Sequence, residues 1–592
     1  MNLFLAVLLL ASLALAKQPN ILFILTDDQG KLVGGLDTMK NLTNLVAKKG
    51  ATYNKHYCSV ALCCPSRANM WSGRMPHNTN VTNVEPPYGG YPQVVKTGMN
   101  DDYLPIWMQK AGYKTYYVGK LWNAHTEENY DAPFAKGFDQ SDFLLDPWTY
   151  RYNNARMTRN NKKPVHYDGS YSTDVLSDKA AGFLDDALKD PSKPWMLTVA
   201  PNAPHSNGSH DPSKGTTWFG EPVSAPRHKG LFENEQVPRD ASFNKLIENG
   251  VGWTKDLPAL TEKEIKYIDY FHQQRLRALQ AVDEMVGRLV QKLEKKGELD
   301  NTYIIYSTDN GYHLGQHRMQ PGKNCGYETD ISVPLIIRGP GVPEGASMDV
   351  VTSHTDIAPT FLSIAGVADK DMPKDLDGKK IPTTKDESDK HDRTEHVAVE
   401  YWGGAVAEGI YGLISPKSKH GFHEENTYKA VRLVSDDYSL YYSVWCTNVR
   451  ELFDMKEDPH QTTNLAKNPK QANRQIAKHG IPKVMNRLNA LILVLKSCTG
   501  DACREPWKQL HPGGNVKNLA DALNPSFDQF YARQPKVSFS SCKTGYLISE
   551  EGPQHFNVFG GAEKRELNGQ WEDSDAVGED YDHEDEEGGD DN

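Results

Sequence analysis

The 592-residue chain has 38% hydrophobic and 24% charged residues, which excludes a membrane-embedded bundle and a disordered chain and is ample to fill more than one core. Its formal charge of −12 is concentrated at one end: twelve acidic residues and no Lys or Arg fall between Glu572 and Asn592, so that tail is expected to be a solvated extension and the remainder is balanced. Neither a basic excess nor a recognised binding motif is present, which argues against a nucleic-acid partner.

Taken in order, the chain starts with an apolar run, Leu3 to Leu15, and a small-residue cleavage site, Ala14-Leu15-Ala16, which together read as a secretory signal peptide over residues 1–16. No later segment is of membrane-spanning length, and nothing specifies an oligomeric state. In a secreted or secretory-lumen protein, Asn41, Asn80 and Asn207 are glycosylation acceptors, each opening an Asn-x-Ser/Thr triplet. Eight cysteines suit that compartment; Cys498 and Cys503, flanking Thr-Gly-Asp-Ala, are the candidate bridge, while the pairing of Cys58, Cys64, Cys325, Cys446 and Cys542 stays open.

Asn20 to Leu25 is a continuous apolar run, the pattern of a strand buried on both faces, and it ends in Asp27-Asp28. The same design returns at Thr302 to Ser307, which runs into Asp309-Asn310. Parallel sheets bind ligands at the carboxyl ends of their strands, and these four residues offer only oxygen, which suits a hard cation such as Ca²⁺ or Mg²⁺. The plainer reading is that strand-end Asp and Asn start turns or cap helices.

Between these strands lie Cys63-Cys64-Pro65-Ser66-Arg67, a helix over Leu104 to Ala111, and a strand from Gly112 to Val118 that leads into Gly119-Lys120-Leu121-Trp122-Asn123-Ala124-His125. Trp195 to Ala200 is a further strand ending in Pro201-Asn202-Ala203-Pro204-His205, and residues 206–256 form a long loop. Ile265, Ile268, Leu276, Leu279, Val282, Met285, Leu289 and Leu293 recur at helical spacing, a core-covering helix closed at Gly297. After Asn310 come His313, His317 and Lys323, then a strand at Val333 to Ile337 and a helix start near Ser353, capped by Thr355 or Asp356. Asp369 to Arg393 is a polar linker; beyond it, Glu395 to Trp402, Lys429 to Val434 and Tyr438 to Trp445 alternate like an antiparallel sheet, followed by a helix over Pro482 to Leu495.

Cys63-Cys64-Pro65-Ser66-Arg67 with Ser72-Gly73-Arg74 resembles the signature by which the sulfatase family has a cysteine oxidised to formylglycine, and Gly112-Tyr113-Lys114-Thr115 with Gly119-Lys120 resembles that family's second signature. The resemblance implies an alkaline-phosphatase-like α/β fold with a large, mostly parallel sheet and a smaller C-terminal α+β domain with an antiparallel sheet: residues 17–385 catalytic, 386–550 the smaller domain, 551–592 the acidic tail. It implies one Ca²⁺ held by Asp27, Asp28, Asp309, Asn310 and the group made from Cys63, maturation by a formylglycine-generating enzyme, and a small-molecule or glycan sulfate ester as substrate. The resemblance gives Arg67, Lys120 and Lys323 the sulfate oxygens, and His205 and Lys323 the leaving group. The usual histidine two residues after the lysine is Trp122 here, leaving Asn123 or His125 for the second diol oxygen. Fungal-type arylsulfatases are the most similar branch, with N-acetylglucosamine-6-sulfatases beside them; a phosphodiesterase or phosphonate hydrolase of the same fold and an inactive secreted binding protein are the alternatives.

Overall fold

The computed structural model describes residues 17–211, 216–390, 395–412, 422–468, 473–561 and 564–566. The expected signal segment and the stretch Glu572 to Asn592 lie outside them.

A ten-stranded sheet organises the chain, in the spatial order Ala346–Ser353, Ala51–Tyr57, Leu335–Arg338, Thr302–Thr308, Asn20–Thr26, Trp195–Ala200, Lys114–Gly119, Gln140–Leu144, Asn154–Arg159, Val165–Asp168. The five strands from Thr302–Thr308 to Gln140–Leu144 run parallel, while Leu335–Arg338, Asn154–Arg159 and Val165–Asp168 pair antiparallel with their neighbours. Along Asn20–Thr26 the side chains alternate: Ile21, Phe23 and Leu25 enter one core, Leu22 and Ile24 the other. Helices cover both faces, which is why this strand is apolar throughout. On the first face lie the helices Cys63–Ser72, Leu104–Lys110 and Ile357–Ile364; on the second lie Ser172–Ala187 and Glu262–Lys295.

The long helix starts one turn earlier than its apolar stripe, because Thr261 and Glu264 form a capping box ahead of it. Near Ser353 the cap is also reciprocal: Asp356 Oδ2 accepts from Ser353 N at 2.7 Å, so Asp356 reaches back to Ser353 and Thr355 is not the capping residue. Within the expected loop over 206–256, the strands Asn207–Asp211 and Thr216–Gly220 pair antiparallel.

A second, antiparallel sheet follows in the order His396–Tyr401, Tyr428–Val434, Ser439–Trp445, Arg450–Asp454, with the helix Ile481–Leu495 in its core. An apolar cluster joins the sheets, Tyr57, Val60 and Tyr327 packing with Val397, Tyr428 and Trp445. Cys498 and Cys503 are bridged as expected, and Cys446 pairs with Cys542; Cys58, Cys63, Cys64 and Cys325 are free and buried. No helix among the described residues is long and apolar enough to cross a membrane.

Candidate active site

Four adjacent parallel strands, Thr302–Thr308, Asn20–Thr26, Trp195–Ala200 and Lys114–Gly119, deliver Asp309-Asn310, Asp27-Asp28, His205 and Lys120 to one rim of the sheet. Two backbone features shape that rim. Asp28 adopts φ 65°, a left-handed conformation that Asp tolerates better than most residues. Gly119 has φ 111°, and a Cβ there would lie 2.0 Å from Ala200 O, so only glycine lets the chain turn into Lys120.

The helix Cys63–Ser72 is buried along its whole length and points its N-terminus at this rim. Gly73, at φ 67°, ends it, its N–H donating to Asn69 O at 2.8 Å. Ser66 Oγ lies 2.5 Å from Asp309 O and 2.8 Å from His354 Nδ1, tying the helix to the Thr302 strand.

Cys63 Sγ lies 3.5 Å from Asp27 Oδ1, 3.9 Å from Asp28 Oδ1 and 3.3 Å from Lys323 Nζ. Lys323 Nζ donates to both oxygens of Asp28 at 2.6 Å, and Lys120 Nζ donates to Asp27 Oδ2 at 2.6 Å. Arg67 Nε donates to Asp309 Oδ2 at 2.9 Å, its Nη2 lies 3.5 Å from Asp27 Oδ2, and its Nη1 holds Lys120 O at 2.5 Å. His205 Nε2 is 3.5 Å from Asp28 Oδ2; its Nδ1 lies 2.8 Å from Ser206 O, an acceptor, so Nδ1 carries the proton and Nε2 of the neutral ring faces the carboxylates.

Burial alone would raise the Asp27 pKa, but Lys120, His205 and Arg67 outweigh it and hold the carboxyl below its ordinary value. Burial, aided by the nearby Asp27 and Asp309, pushes the Cys63 thiol well up despite the two lysines, so a thiolate is disfavoured here. Burial and Lys323 lower His205 to about 4. For Lys323, burial works downward and Asp28, Cys63 and Glu408 reverse it, keeping the ammonium charged.

Cys63, Arg67, Lys120, His205, Lys323, Asp27, Asp28, Asp309 and Asn310, expected from separate stretches of sequence, thus meet in one buried cluster. Asn123 stands beside it: Nδ2 donates to Tyr150 Oη at 2.7 Å, and the Tyr150 ring stacks on His205 at 4.0 Å between centroids and receives Lys120 Nζ at 4.8 Å. His125 stands apart. Its ring packs between Tyr91 and Phe143, and burial lowers its pKa to about 3. His313 Nδ1 donates to Asp330 Oδ1 at 2.9 Å, and His317 packs on Tyr327.

Sequence reasoning missed Tyr150, Glu408 and Arg275. Tyr150 and Glu408 come from loops with no motif. Arg275 adjoins the apolar stripe of the long helix; fully buried, it donates to Asp28 O and, at 3.2 Å, to Pro204 O, bracing both loops. A charged residue at the edge of a core-facing stripe was its only signal.

The cluster also fits a hard cation. Single ligand atoms of Asp27, Asp28, Cys63 and His205 lie within 4.8 Å of one another. Asn310 Nδ2 donates to Asp28 Oδ1 and Gly311 O, both at 2.8 Å, which fixes the amide orientation and leaves Oδ1 buried with no hydrogen-bond partner among the described residues, an acceptor in want of a positive group.

A family model described as Sulfatase matches residues 19–367, and one described as N-sulphoglucosamine sulphohydrolase, C-terminal, matches residues 315–489. An arylsulfatase of Volvox carteri is 35% identical over 557 residues, covering 90% of this chain and 83% of its own. The N-acetylglucosamine-6-sulfatase of Homo sapiens is 31% identical over 513 residues, covering 83% and 86%. Among solved structures, BT4656 in complex with its substrate D-glucosamine-2-N,6-O-disulfate superposes with a TM-score of 0.60 at 24% identity, over 78% of this chain and 95% of that one, a likeness of fold. Likeness of this extent, running through the parallel sheet and on into the antiparallel one, places the chain in the sulfatase family as a hydrolase of sulfate esters.

Proposed function

We propose that the chain is a secreted, arylsulfatase-type sulfuric ester hydrolase that works with formylglycine made from Cys63 and with one Ca²⁺. The position of Cys63 carries this reading: it opens a wholly buried helix with Asp27 3.5 Å and Lys323 3.3 Å from its sulfur, on a rim where Arg67 pairs with Asp309 and Lys120 with Asp27. Residues 1–16 are read as a signal peptide, 17–385 as the catalytic domain, 386–550 as the smaller domain and 551–592 as the acidic tail, with Asn41, Asn80 and Asn207 as acceptors for glycans.

Hydrated formylglycine supplies one hydroxyl to attack sulfur and a second whose deprotonation later expels sulfate. Asp27, Asp28, Asp309 and Asn310 would hold Ca²⁺, which supplies Lewis-acid polarisation of the sulfate oxygens. Arg67, Lys120 and Lys323 offer fixed N–H donors in a water-poor site to the charge that develops on those oxygens. Lys323 also carries a proton for the departing alcohol or phenol. His205, expected beside Lys323 at the leaving group, stacks on Tyr150 with Nε2 free of a proton, which suits it instead to accept the proton of the second hydroxyl, and Asn123 holds Tyr150 in place. His125 has no part in this scheme, because its ring is buried between Tyr91 and Phe143.

The carbohydrate alternative draws on Asn123, which resembles the glucosamine-6-sulfatase branch, and on the 31% identity to such an enzyme. Mass spectrometry of the peptide containing residue 63, joined to a screen of aryl, sugar and steroid sulfates, tests both. An aldehyde at 63 and aryl sulfate turnover that Cys63→Ser abolishes with folding retained are expected. An unmodified thiol in active enzyme, or faster turnover of the matching phosphate esters, would overturn the reading.

A further inference from the structure

Glu408 follows the short strand Ala405–Val406 and comes to the rim from the C-terminal half of the chain. Its N–H donates to Pro321 O at 2.7 Å and its neighbour Ala407 bridges Gly322, so this segment lies along the loop that carries Lys323. The side chain is 6% exposed. Oε2 accepts from Tyr312 Oη at 2.6 Å and from Ser206 Oγ. Ser206 follows His205 and Tyr312 lies just past Asn310, so one carboxylate is tied to the loops bearing His205, Asn310 and Lys323. Its charge reaches two of them, raising the proton affinity of Lys323 and His205.

Around Cys63 the carboxylates Asp27, Asp28 and Asp309 stand against Arg67, Lys120 and Lys323, and Arg275, fully buried with its guanidinium 4.1 Å from the Tyr312 ring centroid, adds a fourth cation. Glu408 is a fourth carboxylate, and among the described residues no cation pairs with it directly. A negative charge in a poorly solvated site repels a dianion about twice as strongly as a monoanion. On the sulfatase reading, which this inference assumes, the substrate ester ROSO₃⁻ is a monoanion; with water it yields ROH, the dianion SO₄²⁻ and a proton. A phosphate monoester is dianionic above neutrality.

We propose that Glu408 sets the charge selectivity of the site, favouring monoanionic sulfate esters over dianionic phosphate esters and hastening release of the dianionic product. Glu408→Gln removes the charge and keeps an acceptor for Tyr312 and Ser206; Tyr312→Phe removes a hydrogen bond and keeps the charge. In the mature calcium-loaded enzyme at alkaline pH, the ratio of kcat/KM for p-nitrophenyl phosphate to that for p-nitrophenyl sulfate is expected to rise about tenfold in Glu408→Gln. By calorimetry, the affinity for inorganic sulfate relative to methyl sulfate is expected to rise by a similar factor, about tenfold. Tyr312→Phe leaves both ratios near wild type. Unchanged ratios in Glu408→Gln, or an equal shift in Tyr312→Phe, would overturn the proposal. The binding ratio needs no turnover, so a wild-type protein that hydrolyses no sulfate ester defeats the functional reading while the role of Glu408 is still decided.

Discussion

Lys120 Nζ lies 2.6 Å from Asp27 Oδ2, and neither side chain is exposed. The two residues leave strands that do not touch: Trp195–Ala200 lies between Asn20–Thr26 and Lys114–Gly119, so the pair spans a strand across the rim. Lys120→Met leaves Asp27 buried with Arg67 as its remaining cation. That change is expected to cost about 3–5 kcal/mol in urea unfolding, the range for a buried pair broken on one side. It is also expected to lower kcat/KM on an aryl sulfate by about 10²- to 10³-fold, through loss of a donor to the sulfate oxygens. An unfolding midpoint equal to wild type would show that the pair carries no such load.

Asn310 supplies a different test, because its buried Oδ1 has no hydrogen-bond partner among the described residues. Asn310→Ala removes that oxygen and the Nδ2 bond to Asp28. Calcium affinity, measured by competition with a chromophoric chelator, is expected to fall about 10- to 100-fold. Undiminished affinity would remove Asn310 from the cation site.

The C-terminal half holds a pH-sensitive group far from the chemistry. Glu395 accepts from Trp507 Nε1 and Leu519 N at 2.8 Å and from Tyr438 Oη, and burial raises its pKa from 4.5 to about 7. Between those two values the folded state holds a proton that the unfolded chain has released. The contribution to stability is therefore complete below the unfolded value and is lost as pH rises through the folded one. Relative to Glu395→Gln, wild type is expected to lose about 3 kcal/mol over that window. Parallel pH profiles of the urea midpoints for the two proteins would contradict this.

The two disulfides should differ in weight. Cys446–Cys542 closes a separation of 96 residues and Cys498–Cys503 one of 5. By loop-closure entropy the long one stabilises by about 4.7 kcal/mol and the short one by about 2 kcal/mol. Replacing each pair by serine and comparing thermal midpoints checks the order, and a larger loss for the short loop would reverse it.

Much of the cluster was legible before any coordinates. Asp27-Asp28 and Asp309-Asn310 end apolar runs, and runs buried on both faces belong to parallel strands whose carboxyl ends share a rim. Cys63, Lys120, His205 and Lys323 sit in short motifs that became legible through their resemblance to those of the sulfatase family. Boundaries were less legible: the long helix begins at a polar capping box, and the strand expected at Val333 to Ile337 runs from Leu335 to Arg338.

By itself, the sequence determined the alternation of strand and helix, the acidic pairs at strand ends and the short disulfide, because each is a local pattern of hydrophobicity, residue type or spacing. Only the tertiary structure decided that Lys120 reaches Asp27 across a strand, that His125 packs among aromatic rings, that Tyr150 backs His205, and that Glu408 arrives from the far half of the chain. These depend on where strands separated by hundreds of residues line up and which side chains then share a buried volume. In such a volume an unpaired charge is expensive, so the site is defined by pairings that no local pattern carries.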